Sequence, residues 1–214
     1  AGDVMFEDRD GSGSVGTGAG TVDDPGDMMI IGNTTPRYSY SFRIEASWNG
    51  FDISAFFQGV GKRDWYPTAN KDDIYGANQF WQLYGYTIPS FITYDFMDDV
   101  WSEQNPGGYF PRLRPIQSYN GGPLGQNNDR YLQSVAYLRF KNLTIGYTLP
   151  VLKKYLSKLR IYVSGENLCY WSPLKKHCKL IDPELAISSG TYKGGTGTGY
   201  TMPRTFSFGV DITF

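Results

Sequence analysis

Chemistry has few places to reside in this chain. His177 is the only histidine among 214 residues, and with Cys178 it gives one segment two types of metal ligand. Nothing at zinc-ligand spacing accompanies them. A single histidine also leaves no choice of base for a Ser-His-Asp set, so the chain reads as non-enzymatic. Asp8, Asp10 and Ser12, followed by Gly13, reproduce the opening ligand spacing of a calcium loop. Its twelfth position is Ala19, where a bidentate Glu is wanted, so Asp23, Asp24 or Asp27 would have to complete the site. Turn-forming Asp and Gly account for the same stretch without a metal. GTGAG and GGTGTG sit between no strand and helix, and read as flexible loop rather than phosphate cradles. Cys169 and Cys178 would form one loop disulfide in an oxidising compartment, or remain two thiols.

Aromatic side chains are the more promising group. Trp65, Tyr66, Trp81, Tyr84, Tyr86, Trp101 and Tyr109 crowd one long aperiodic stretch, 60–130, with Arg63, Arg112 and Arg114 among them. Aromatic faces stack on sugars and on protein partners, and they also pack loops internally. Trp65, Tyr66, Trp81, Tyr84, Trp101 and Tyr109 are therefore the candidate ligand- or partner-binding residues, and the arginines serve equally as loop ion pairs. A formal net charge of −1, with no long basic cluster, gives no reason to expect nucleic acid.

The elements that must carry these residues read as β throughout. Aromatics make up 16% of the chain and 26 residues are glycine, which suits strands and turns rather than helices. Residues 38–48 alternate, with Tyr40, Phe42, Ile44, Ala46 and Trp48 on one face and Ser39, Ser41, Arg43, Glu45 and Ser47 on the other. Asn49-Gly50 is the signature of a two-residue turn whose central residues need positive φ. Residues 51–58 run back, which sets Trp48 against Phe51, Ala46 against Ile53, Ile44 against Ala55 and Phe42 against Phe57. A third strand places Leu143, Ile145, Tyr147 and Leu149 on its apolar face. Leu138 and Phe140 fall out of phase with them, which predicts a bulge near Lys141. Residues 151–159 have the pattern of a short amphipathic helical turn. A fourth strand carries Leu159, Ile161 and Val163, and a last one Phe206, Phe208, Val210, Ile212 and Phe214.

Such faces are buried between sheets in a soluble sandwich or turned to lipid in an outer-membrane barrel. No apolar run approaches the roughly 20 residues of a membrane helix, a test that barrel strands evade by alternation. Short and long connections alternate along the chain: 49–50, 60–130, 150–158 and 172–202. Barrels have short periplasmic turns and long extracellular loops, so lipid is the better reading. Five strands close no barrel, and further strands are then expected from the rest of a longer chain. AGDVMFEDRD has neither the basic start nor the apolar stretch of a signal peptide. That leaves a cytoplasmic protein or a first residue that is not the natural one.

The wording of the segments carries a resemblance. GFDISAFFQGVGKRDWYP, WSEQNPGGYFPRL, YLRFKNLTIGYTLP, LRIYVSGENLCYWSP and YTMPRTFSFGVDITF occur in this order, after an opening GDVMFEDRDGSG. Together they closely resemble the C-terminal part of SusC/RagA-type TonB-dependent outer-membrane transporters of Bacteroidetes. In the first loop GSGSVGTGAG stands where that family has a more acidic run. The resemblance implies an all-β fold, the last five strands and loops of a 22-stranded barrel around a plug. Residues 1–36 would be an extracellular loop and 37–214 the strands and loops of the wall, with the C-terminus periplasmic. It further implies uptake of glycan oligomers or peptides with a SusD-like surface lipoprotein, driven by TonB through a missing N-terminal part. Phe206, Phe208, Val210, Ile212 and Phe214 would form the signal recognised by barrel-assembly machinery. The competing expectation is a secreted β-sandwich binding glycans through loop aromatics.

Overall fold

The computed structural model describes residues 1–67, 93–113, 126–150, 156–186 and 202–214. Residues 1–36 contain no helix or strand. Among the described residues seven strands follow: β1 Tyr38–Trp48, β2 Phe51–Lys62, β3 Asp64–Trp65, β4 Gln133–Ser134, β5 Tyr137–Leu149, β6 Lys158–Trp171 and β7 Thr205–Thr213. β1, β2, β5, β6 and β7 form one antiparallel sheet in that order, and β3 pairs with β4. Among the described residues no helix is long and apolar enough to cross a membrane.

The hairpin is built as its turn dictates. Asn49 and Gly50 have φ of 49° and 86°, and Trp48–Phe51, Ala46–Ile53, Ile44–Ala55 and Phe42–Phe57 are all opposed. β2 runs on to Lys62, four residues beyond the alternating stretch, because Gly59 and Gly61 interrupt the apolar pattern without interrupting the ladder. The register of β5 slips between Phe140 and Asn142, so the bulge falls at Lys141 as predicted. Leu138 and Phe140 thereby return to the face of Leu143 and Ile145. The expectation of a helical turn over 151–159 fails at its C-terminal end. Lys158 and Leu159 open β6, paired with Thr213 and Ile212, because cross-strand pairing outweighs a weak local helical pattern. Residues 151–155 lie outside the described residues.

No second layer of described residues covers the apolar face of the five-stranded sheet. The buried residues Trp65, Phe96, Val100, Phe110, Tyr131, Val135, Leu174 and Ile181 belong to the connections instead. They gather at the end of the sheet away from the Asn49-Gly50 turn. A sandwich, which buries one face of each sheet against the other, is not what these residues build.

Candidate functional site

Each strand presents two chemically opposite faces. On one, Ile44, Trp48, Phe51, Val163, Phe206, Phe208 and Ile212 are all more than half exposed, up to 79% at Trp48. Leaving such side chains in water forgoes about 1.5–3 kcal/mol each, so a row of them marks a surface meant for an apolar medium. Phe42, Phe57 and Phe140 stack across three strands, with centroids 4.9 and 4.5 Å apart and planes within 13° and 8°. Aromatics collect at both ends: Trp48, Phe51 and Tyr147 near the tight turn, and Tyr38, Tyr40 and Trp171 at the other end. The Tyr40 ring lies over Gly59, where an added Cβ would come within 2.6 Å of it, and its hydroxyl donates to the Tyr137 carbonyl at 3.1 Å.

The opposite face holds the charges. Arg160 on β6 reaches across β5 to Asp52 on β2, with Nε donating to Oδ1 at 2.9 Å and a terminal nitrogen to Oδ2 at 2.6 Å. It also donates to Asp211 on β7 at 3.0 Å. One guanidinium thus ties three strands, with the fork geometry that arginine alone supplies. The span exists because residue 146 is glycine: a Cβ there would stand 2.5 Å from the guanidinium. Arg43 and Glu45 pair at 3.5 Å on the same face, and the Ser54 hydroxyl donates to Glu45 at 3.2 Å.

At the loop end the candidate aromatics mostly hold one another. Trp65 is fully buried in the loop core, and Tyr66 and Tyr109 pack against it. The Tyr66 hydroxyl donates to the Gln126 carbonyl at 3.2 Å and accepts from the Asn128 amide at 3.1 Å. Tyr109 donates to the Arg130 carbonyl at 2.8 Å, accepts from Gln133 at 2.7 Å, and stacks on the His177 ring at 3.5 Å. Burial raises the Tyr66 and Tyr109 phenols and pushes Tyr131 up to about 12, so all three stay protonated. Trp101 is half-buried, its ring against Gly2, whose φ is +86°. Arg63 donates to the Thr34 carbonyl at 3.0 Å. Trp81, Tyr84, Tyr86 and Arg114 lie outside the described residues.

A buried ionic lock escaped sequence reading. Arg139 on β5 is 2% exposed and forks to Asp182, while its Nε donates to Glu184 at 2.7 Å. Lys141 reaches the other oxygen of Glu184 at 3.1 Å. The Asp182 carboxylate accepts the Glu184 amide at 3.0 Å, and its carbonyl accepts the amides of Leu185 and Ala186. A loop turn is thereby fastened to the wall. Arg139 is 43 residues from Asp182 and 45 from Glu184, and no local pattern announces the pairing.

The possible metal ligands are brought together in part. Asp8, Asp10 and Asp27 have carboxylate oxygens within 4.8 Å of one another, so Asp27 is the acid the loop selects from the three considered. Those oxygens already accept main-chain amides: Gly11, Ser12 and Gly13 donate to Asp8, and Arg9, Asp10 and Gly16 to Asp27. The amides of Gly16 and Arg9 hold the Asp27 carboxyl below its usual range. Ser12 joins through its amide to Asp10, its hydroxyl being donated to the Ser14 carbonyl. Cys169 and Cys178 are free thiols, and burial pushes Cys178 up to about 11, well away from a reactive thiolate.

Comparison with known proteins places this geometry. No family model matches the chain. The TonB-dependent receptor P3 of Formosa agariphila is 28% identical over 223 residues, covering all of this chain and 19% of that protein. The chain thus spans about a fifth of the length of this curated relative. The RagAB peptide transporter matches in fold with a TM-score of 0.54 at 22% identity, over 86% of this chain and 18% of that one. The RagAB peptide importer in its open-open state gives 0.53 at 21%. End to end in sequence the chain is similar to part of a TonB-dependent receptor, and over most of its length it shares the fold of a segment of the RagAB transporter.

Proposed function

We propose that the chain forms five wall strands and the associated loops of an outer-membrane importer that takes up glycan oligomers or peptides. The observation that carries this reading is the uncovered apolar face backed by a charged one, with aromatic belts at both ends. That is the section of a barrel wall between lipid and a polar lumen. The tight turn at Asn49-Gly50 then faces the periplasm, and the loop cluster, residues 1–36 included, faces outward. β1 and β7 each leave one edge for the rest of the barrel. The apolar row of β7, Phe206 to Phe214, serves as the mark read by barrel-assembly machinery. A SusD-like lipoprotein docks on the loops, with Trp101, Trp81 and Tyr84 as contact candidates. Trp65, Tyr66 and Tyr109 act by keeping the loops in shape. TonB supplies the energy through another part of the polypeptide.

The test uses outer membranes of the native host in mild detergent. The band carrying these peptides should migrate differently unboiled and boiled, and a surface lipoprotein should co-purify with it. A species that stays soluble and monomeric without detergent refutes the proposal.

A further inference from the structure

At the outward rim of the sheet, a cavity of about 690 Å³ opens where β1, β2, β5 and β6 end. One side is lined by Tyr40, Leu138 and Trp171, all in the register of the apolar face. Another side is lined by Lys175, in the turn that follows β6. Its ammonium donates to the Tyr170 carbonyl at 2.9 Å and stands 3.9 Å from the centre of the Tyr170 ring. Lys175 is exposed and has no carboxylate partner among the described residues, so its charge remains available. Arg37 and Lys62 are also exposed, at the outward ends of β1 and β2 beside Tyr38. At the tight-turn end Asp52 and Asp211 are both bound to Arg160, with Lys158 exposed beside them. Arg37, Lys62 and Lys175 thus stand at the outward rim, just beyond an aromatic belt.

A lipid-continuous notch with an apolar wall and a cationic lip fits an amphiphile whose headgroup is an anion. We infer that this notch binds a phosphorylated lipid of the outer leaflet. Its acyl chain would run along Tyr40, Leu138 and Trp171, and its phosphate would meet Lys175, with Lys62 and Arg37 flanking. The inference rests on the reading of the apolar face as lipid-facing. It adds that the contact is selective at this rim. Tyr170 orients the lysine through its carbonyl and ring, so the ammonium is held at the lip before a ligand arrives.

The experiment uses the full-length parent barrel reconstituted in vesicles, with bromine on the acyl chains as a tryptophan quencher. Quenching assigned to Trp171 is the difference between the native protein and its Trp171→Phe variant. Brominated phosphatidic acid should quench Trp171 at about fivefold lower mole fraction than brominated phosphatidylcholine, the preference one cation supplies at a charged surface. Lys175→Ala should abolish the preference while quenching by phosphatidylcholine persists. Inorganic phosphate in solution should not compete, which separates a lipid headgroup from free phosphate. Equal quenching by both lipids overturns the headgroup site and leaves the membrane reading standing. Absence of quenching by either lipid removes the membrane reading itself. Protection of Trp171 by a soluble oligosaccharide would assign the notch to sugar stacking and overturn the proposal.

Discussion

Replacing Arg139 by Met removes a guanidinium that is 2% exposed and leaves Asp182 and Glu184, 6% and 12% exposed, facing each other without their main counter-charge. Breaking a buried pair from one side costs about 3–5 kcal/mol, because the remaining charge is desolvated and unpaired. Lys141 still reaches Glu184 and offsets a fraction of that. The loop has a cheaper escape than global unfolding. Residues 181–186 can lift off and hydrate both carboxylates, so the loss appears as local opening. The amides of Glu184, Leu185 and Ala186, which donate to Asp182, are the reporters. Their hydrogen exchange in the detergent-solubilised parent barrel should accelerate on the order of 10²- to 10³-fold, at about tenfold per 1.4 kcal/mol. Amides in β6 should be unaffected. Adding Asp182→Leu and Glu184→Leu to Arg139→Met should recover most of the protection. Unchanged exchange at Glu184 and Leu185 in Arg139→Met would refute the lock, whatever the barrel's overall stability.

Val210→Arg should lower folding yield into vesicles, at a cost of about 2–4 kcal/mol for a cation facing lipid. Ser207→Arg, on the polar face of the same strand, should fold normally. Gly50→Val should slow barrel assembly and cost at least about 1–2 kcal/mol. Its φ is +86° and a Cβ would lie 2.9 Å from the Thr148 carbonyl; the heat-modifiable fraction measures the effect. Burial pushes His177 below the usual imidazole range, against the pull of Asp99. The unfolded chain then takes up the proton first, so the contribution of His177 is full above the unfolded pKa of about 6.5 and is lost as pH falls below it. The amide of Cys178, bonded to the Leu174 carbonyl at 2.9 Å, should exchange faster at pH 5 than at pH 8, beyond the intrinsic change. His177→Phe should remove that excess.

The wall was readable from the sequence because a period of two and a two-residue turn are both local. Together they specified every pair from Phe42–Phe57 to Trp48–Phe51, and a phase error at Leu138 and Phe140 located the bulge. The far end of β2 was hidden, since Gly59 supplies no side chain to the pattern and takes its cover from Tyr40. The loop core was hidden for a different reason. Trp65, Phe110, Tyr131 and Ile181 meet from four separate stretches with no period among them, so composition suggested binding aromatics where packing claims at least Trp65. The Arg139 lock was illegible because an Arg in an out-of-phase stretch looks like any polar residue until its partner's position is known.

The bulge at Lys141 has a further consequence, for how such a chain can change length. Orientation along a strand is a matter of odd and even, and Lys141 is the single extra count that makes Arg139 face the loop lock while Leu143 and Ile145 face outward. Losing that one residue would exchange the two sides of everything between the bulge and the loop. Arg139 would turn to lipid, and Leu138 and Phe140 inward. Insertions and deletions above the bulge are therefore tolerable in steps of two, or when a second irregularity restores the count. Within that arithmetic, the outward ends of the strands are free to carry loops of any length and composition while the wall below keeps its phase.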